Sequence, residues 1–349
     1  MPSVCGDFAE ANKIIDYAAE YLQTCGMHVV RHESHGFPSL VATTRKTKAP
    51  KVMLAGHLDV VPAPEELFTL RLKDGRYYGR GVFDMKFAVA SYLHLVDELQ
   101  HELAQYDFGI MLTTDEEQYG PYGTGMLIEK GYVPEVCVLP DASSDWNIET
   151  FAKGRWFVRL NVNGRSAHGS RPWEGDSATV RLVELLHEIH ALFADGQQPD
   201  SHTLNVGVVQ GGAMVNQIPD RATAELDIRY TTTEFMAEIE VAIRQLCRKY
   251  GVTFTELSDN AEPVTNELTN PYIAAFAECI TEETGIIPEA IRSFAASDAR
   301  FFMRANVPCV VTSPRGGNRH SDDEWCDVAS YNQMQPILRR YLQRMAQTQ

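Results

Sequence analysis

Residues 51–62 read KVMLAGHLDVVP, and this stretch decides the fold. An apolar run with no polar alternation reads as a strand buried on both faces, the habit of parallel sheets covered by helices. The run ends on His57 and Asp59, and open α/β sheets gather ligands at the carboxyl ends of their strands. Two further runs repeat the pattern. DFGIMLTT (107–114) leads into Asp115, Glu116 and Glu117, and VCVL (136–139) leads into Pro140 and Asp141. Between them, GRGVFDMK places Asp84 in a glycine-bearing loop ahead of a helix over 85–103, with Phe87, Val89, Ala90, Leu93 and Val96 along one side. His320 closes the set from the glycine-rich RGGNRHSDDEW.

Outward from this centre, the first part of the chain alternates helix and strand, as α/β proteins do. An amphipathic helix opens the chain, followed by the strands MHVVRHE and PSLVATT. Near Lys153 the character changes. WFVRLNVNG, TLNVGVVQGG, ATAELDIRY and VTFTELSD read as amphipathic strands, interrupted by helices over 176–194 and 233–250. Strand-helix-strand-strand-helix-strand is the order of a small α+β sandwich. The α/β pattern resumes with a helix over 271–283, the strand PCVVTSP and a last helix over 331–345. A second domain is therefore expected as an insertion within the first.

Bulk properties narrow the partners. A formal net charge of −16 argues against nucleic acid or an anionic membrane surface, which require a basic footprint. No apolar stretch reaches the ~20 residues that span a bilayer. The opening segment lacks a basic and apolar leader pattern. The 7 cysteines are scattered without CxxC spacing. Reduced thiols and a cytoplasmic location are the expectation.

His57, Asp84, Glu117, Asp141 and His320 are two imidazoles and three carboxylates, an N/O donor set suited to zinc or a similar divalent ion. Each has a plainer reading. His57 and Asp59 can sit in a surface turn, Asp84 can cap the helix behind it, and TTDEEQYG can be a solvated acidic turn. Asp141 can open a turn, and His320, like His168 in GRSAHGSRP, can be an idle loop histidine. If a metal is present, Asp59 is placed to orient His57 and Glu116 to take a proton from bound water. That combination is metal-assisted hydrolysis.

HLDVVP, GRGVFDMK, TTDEE, the Asp141 strand end, SAHGSRP, GGAMVNQIPDRATAELDIRY and the His320 loop occur in the order of a known family. In these motifs the chain resembles the metal-dependent deacylases that include acetylornithine deacetylase, succinyl-diaminopimelate desuccinylase, aminoacylase and carboxypeptidase G. The resemblance implies a zinc-exopeptidase-like α/β catalytic domain (1–153 and 261–349) with a central mixed, mostly parallel sheet. It also implies an inserted α+β ferredoxin-like dimerisation domain (154–260). It implies two divalent ions, zinc first with cobalt or manganese as substitutes, bridged by Asp84. His57 and Asp141 would complete one ion, Glu117 and His320 the other, with Glu116 as base. His168 would reach the neighbouring subunit's site in a homodimer. Asn216 and Arg229 match positions that hold a substrate carboxylate.

From the clustering of arginines in the motif segments, Arg300 joins Arg229 as an expected carboxylate contact. The expected substrate is an acylated amino acid or short peptide bearing a carboxylate. A dipeptidase or aminopeptidase of the same family is the rival reading, and a catalytically inactive, metal-stabilised binding dimer is the rival of another class. Two departures stand out: Phe87 follows DMK where relatives carry a small residue, and Asp141 replaces the glutamate of many relatives.

Overall fold

The computed structural model describes residues 1–141, 144–193, 198–258 and 260–347. The chain divides into two compact units, one of Met1–Phe151, Thr265–Ser293 and Ser297–Gln349, the other of Ala152–Val264 with Phe294–Ala296. The insertion expected at 154–260 lies inside the second.

The first unit is built on a six-stranded sheet in the order His28–Ser34, Phe37–Thr43, Phe108–Thr113, Val52–His57, Val136–Val138, Cys309–Val310. Phe108–Thr113, Val52–His57, Val136–Val138 and Cys309–Val310 run parallel, and the first two strands form an antiparallel hairpin at one edge. The mixed, mostly parallel sheet expected from the apolar runs is present. Every residue of the Val52–His57 and Phe108–Thr113 strands is buried, as continuous apolar runs require.

Helices supply the cover. The Phe8–Thr24 helix is capped by Asp7, whose side chain accepts from the amides of Ala9 and Glu10, and it buries Ile14, Ile15, Ala18 and Leu22. The Lys86–Leu99 helix buries Ala88, Tyr92, Leu95 and Val96, and Tyr92 donates to the carbonyl of Ala55. The Val328–Gln347 helix lies against it and against Pro271–Thr284. This cover leaves the carboxyl edge of the parallel strands for chemistry.

The second unit is a four-stranded antiparallel sheet, ordered Thr203–Gly211, Arg221–Tyr230, Gly154–Asn163, Thr253–Glu256. With the Ala178–Ala191 and Thr233–Tyr250 helices, this is the ferredoxin-like arrangement. Trp156, Val158, Leu160 and Val162 alternate inward and meet Leu182, Leu185, Ile239 and Ile243 in one core. The longer helix ends at Gly251 in the left-handed region, where a side chain would be strained. The expected helix over 176–194 ends at Ala191; Ala194 itself, like Asp259 at the end of the last expected strand, lies outside the described residues.

Several short elements escape the apolar patterns. Among the described residues, Arg71–Lys73, Arg76–Tyr78, Gly316–Gly317 and Trp325–Asp327 form a second small sheet beside the Asp84 loop. They are too short, and too exposed in the case of Arg71–Lys73, for periodicity to mark them. All seven cysteines are free thiols.

Candidate metal centre

His57 is the last residue of its strand, and Glu116 and Asp141 each lie three residues beyond the ends of theirs. Adjacent parallel strands in register therefore bring these three side chains to one edge. His57 is 1% exposed. Its Nδ1 donates to the carbonyl of Asp59 at 3.0 Å, with Asp59 Oδ1 at 3.4 Å. That bond fixes the ring and turns Nε2 toward Asp84 Oδ1 at 3.3 Å and Asp141 Oδ1 at 3.5 Å.

Asp84 faces both ways. While Oδ1 meets His57, Oδ2 lies 3.0 Å from Nε2 of His320, which is itself 3.3 Å from Glu117 Oε2. Two groups result, His57–Glu116–Asp141 and Asp84–Glu117–His320, and within each the ligand atoms lie within 4.8 Å of one another. Asp84 does not cap the following helix. That helix begins at Lys86 with Met85 in the cap position and no side-chain cap bond. The capping alternative weighed for Asp84 is thereby corrected, and its carboxylate is left for the centre.

Asp59 ties the two groups together. Its backbone carbonyl and Oδ1 hold His57, while Oδ2 accepts the amide of Glu117 at 3.0 Å. The Glu116–Gln118 turn also rests on buried acids below it. Asp115 Oδ2 accepts the amides of Tyr122 and Gly123, and Asp298 Oδ2 accepts the hydroxyl of Thr124. Close approach is a requirement here. A Cβ at Gly120 would come within 2.0 Å of Asp298 Oδ1, and one at Gly123 within 2.1 Å of Asp115 Oδ1. Arg300 is buried and donates to the carbonyl of Tyr119. The structure thus gives Arg300 a use as a prop for the loop carrying Glu116 and Glu117, where the sequence had suggested a substrate contact.

The electrostatics are those of a cation site. Burial disfavours charge on His57, yet Asp141, Asp59 and Asp84 push its pKa well above the ordinary imidazole value. His320 is raised to about 10 by Asp84 and Glu117. Burial, reinforced by Asp141, drives Glu116 well above the usual carboxyl range. Asp141 is raised by burial against the pull of His57. Asp84 is held well below the usual range by His320 and His57, which outweigh its burial. Crowded carboxyls and imidazoles that retain protons are what a cation would replace, so the residues present fit a two-ion centre.

In the second unit His168 lies on a short strand paired with Gln217 and Ile218. Its Nδ1 accepts the amide of Ser170 at 3.2 Å, with Ser170 Oγ at 2.8 Å. The neutral ring then carries its proton on Nε2, ready to donate. Asn216 is brought beside it: the carbonyl of Asn216 accepts the amide of Gly169 at 2.7 Å. Arg229 is not grouped with them; its Nε and Nη2 form a two-pronged pair with Asp227 at 2.7 and 3.1 Å.

Three residues that bear on the centre carried no sequence signal. Asp298 sits among ordinary loop residues, Arg80 hides inside the glycine motif, and Glu324 is one of three acids in SDDEW. Each is buried.

The sequence profile described as peptidase family M20/M25/M40 matches residues 53–344. A succinyl-diaminopimelate desuccinylase of Parvibaculum lavamentivorans is 29% identical over 317 residues, covering 84% of this chain and 79% of that protein. Its counterpart in Wolinella succinogenes is 25% identical over 353 residues, with 97% and 93% covered. Among solved structures, a tripeptidase from Staphylococcus aureus superposes with a TM-score of 0.80 at 20% identity, covering 97% of this chain and 93% of its own. A metallo-carboxypeptidase from Sulfolobus solfataricus gives 0.79 at 16% identity, with 99% and 96% covered.

Proposed function

The chain belongs to peptidase family M20/M25/M40, a metal-dependent family of amide-bond hydrolases, and we propose that within it the chain is a di-zinc deacylase of N-acyl amino acids. One observation carries the reading: the two oxygens of Asp84 face two separate imidazoles, each with its own further carboxylate. His57 and Asp141 would hold one ion, Glu117 and His320 the other, with Asp84 between them. Ions held there would lower the pKa of a water and polarise the scissile carbonyl.

The chain's own residues do the rest. Glu116 takes the proton from the attacking water and passes it to the departing amine. Asp59 holds the His57 ring and the Glu117 backbone, so ligand spacing is set before substrate arrives. His168, with its proton on Nε2, would donate to the oxyanion of the tetrahedral intermediate. In our reading it does so in the partner's site within a homodimer. Support comes from the edge position of the Thr203–Gly211 strand and from Val180 and Val183, both exposed on the Ala178–Ala191 helix. Asn216, beside His168, would position the substrate carboxylate, with Arg229 contributing while Asp227 holds its guanidinium.

Desuccinylases are among the relatives, so an N-succinyl amino acid is the first substrate to try. No helix among the described residues is long and apolar enough to cross a membrane. The substrate would be met in the cytoplasm, a setting that suits seven free thiols.

The test is turnover by zinc-loaded protein on matched N-succinyl, N-acetyl and unblocked dipeptide substrates. Cleavage of blocked substrates is expected. Cleavage of the free dipeptides alone would replace the deacylase by a dipeptidase or aminopeptidase. No cleavage of any of them with both ions bound would leave only a metal-stabilised binding dimer.

A further inference from the structure

The two halves of the centre are not equally supported by the fold. His57 ends a central strand and Asp141 lies three residues past its neighbour, and their side chains are 1% and 6% exposed. His320 is 55% exposed, sits in a loop, and adopts a left-handed φ of 62° that disfavours a non-glycine residue. Something has to hold it opposite Asp84.

Glu324 and Arg80 do so. The Glu324 carboxylate is 1% exposed and spends both oxygens on the Asp84 loop. Oε1 accepts the amides of Phe83 at 2.8 Å and of Asp84 itself at 3.0 Å. Oε2 accepts the amide of Gly81 at 3.1 Å and Nη1 of Arg80 at 2.9 Å. Arg80 then reaches back to the other loop, donating from Nη1 to the carbonyl of Ser321 at 3.1 Å and from Nη2 to that of His320 at 3.3 Å. Each member thus grips the backbone of the loop it does not belong to, and does so at the ligand itself.

An aromatic stack reinforces the tie. Phe83 stacks on Phe87, with ring centroids 6.0 Å apart, and carries the Arg319 guanidinium 4.5 Å from its ring centre. A Cβ at Gly316 would fall 2.2 Å from Phe83, so the loops close only because a glycine is there. The ring at position 87 therefore packs against the Asp84 loop through Phe83.

Burying two charges costs free energy, and a buried pair is retained only where hydrogen bonds and geometry repay it. Here the four hydrogen bonds to Glu324 fix one ligand-bearing loop and the two from Arg80 to backbone carbonyls fix the other. We propose that Arg80 and Glu324 are a positioning pair that sets the affinity of the Asp84–Glu117–His320 position for its ion. The inference rests on the two-ion reading above.

Zinc-stripped protein titrated with zinc in a calorimeter tests it. His320→Ala serves as the reference that removes the second position, and wild type should bind two ions. Glu324→Gln is expected to weaken the ion that His320→Ala loses by about 10- to 100-fold, as loss of outer partners of metal ligands does, and to weaken the other clearly less, since it shares Asp84 but keeps His57 and Asp141. Arg80→Lys keeps the buried charge without the fork, so it should give a smaller loss at the same position, and it stands in if Glu324→Gln fails to fold. A merely structural pair predicts a lower unfolding temperature of the metal-free protein with no selective loss of one ion, and that result overturns the inference. Equal affinities in wild type and both variants overturn it too. Fewer than two ions bound by wild type would remove the metal reading itself, and the inference with it.

Discussion

The His57–Asp141 half of the centre and the Glu117–His320 half use the same chemistry but are built in different ways. In the first, His57 is the last residue of a central strand and is placed by backbone hydrogen bonds of the sheet, while Asp141 follows three residues past the neighbouring strand. The second grows from a turn and a loop, and its placement is delegated to buried side chains: Asp59, Asp115 and Asp298 under Glu117, Arg80 and Glu324 around His320. A sheet edge gives precision without further help. A loop reaches the same precision only with a second layer of hydrogen bonds, and that layer is where the two halves can be separated by experiment.

The largest expected effect tests where Glu116 belongs. It clusters with His57 and Asp141, so its role could be that of ligand or base. As base, Glu116→Ala lowers kcat by at least ~10²-fold while two ions stay bound. Loss of an ion from the variant, read by metal analysis, would move Glu116 into the first half as a ligand.

Asp59 touches both halves, through the His57 ring and the Glu117 amide. Asp59→Asn should therefore weaken both ions, each by about tenfold or more. A selective loss at one position in a zinc titration would show that the halves are less coupled than their shared carboxylate implies.

The acids beneath the second half give a pH signature. In the metal-free protein, burial raises Asp298 to about 6, Asp115 to about 7 and the nearby Glu149 to about 8. Each is above its unfolded value, so the native state holds protons that the unfolded chain has released. Their contribution is complete below about pH 4 and is lost as pH rises through 6 to 8. The unfolding temperature of the metal-free protein should fall from pH 5 to pH 9. His320, raised to about 10, acts with the same sign; the lowered His32 and His202 oppose it below about pH 6.5, Lys86, lowered to about 8, opposes it above about pH 8, and Asp84 opposes it only below about pH 4. A midpoint that climbs with pH would contradict the burial of these acids.

The smallest effect belongs to the stack beside His320. Arg319→Gln removes the cation over Phe83, a contact worth about 1 kcal/mol at this half-buried position, so the second ion should weaken by roughly fivefold. No change at that position in the same titration would confine the bracing to Arg80 and Glu324.

The same division explains what could be read without coordinates. Uninterrupted apolar runs gave the parallel strands, and residues just past their ends gave His57, Glu116, Glu117 and Asp141, because a strand end projects its neighbours in a fixed direction. The inserted sandwich was equally legible, since its two central strands alternate along most of their length. The bracing was not. In SDDEW nothing distinguishes the buried Glu324 from the two acids before it, because direction in an irregular loop depends on contacts 240 residues away. The prop that Arg300 gives the carbonyl of Tyr119 was equally hidden, since an arginine among motifs does not show in sequence which backbone group it meets.

The five ligands span from His57 to His320, and the Cys309–Val310 strand joins the sheet beside Val136–Val138 from the far end of the chain. All five candidate donors are therefore present together only in a chain that extends past His320. A product ending before Cys309 has four of the five candidate donors and lacks both the edge strand of the sheet and the imidazole opposite Asp84.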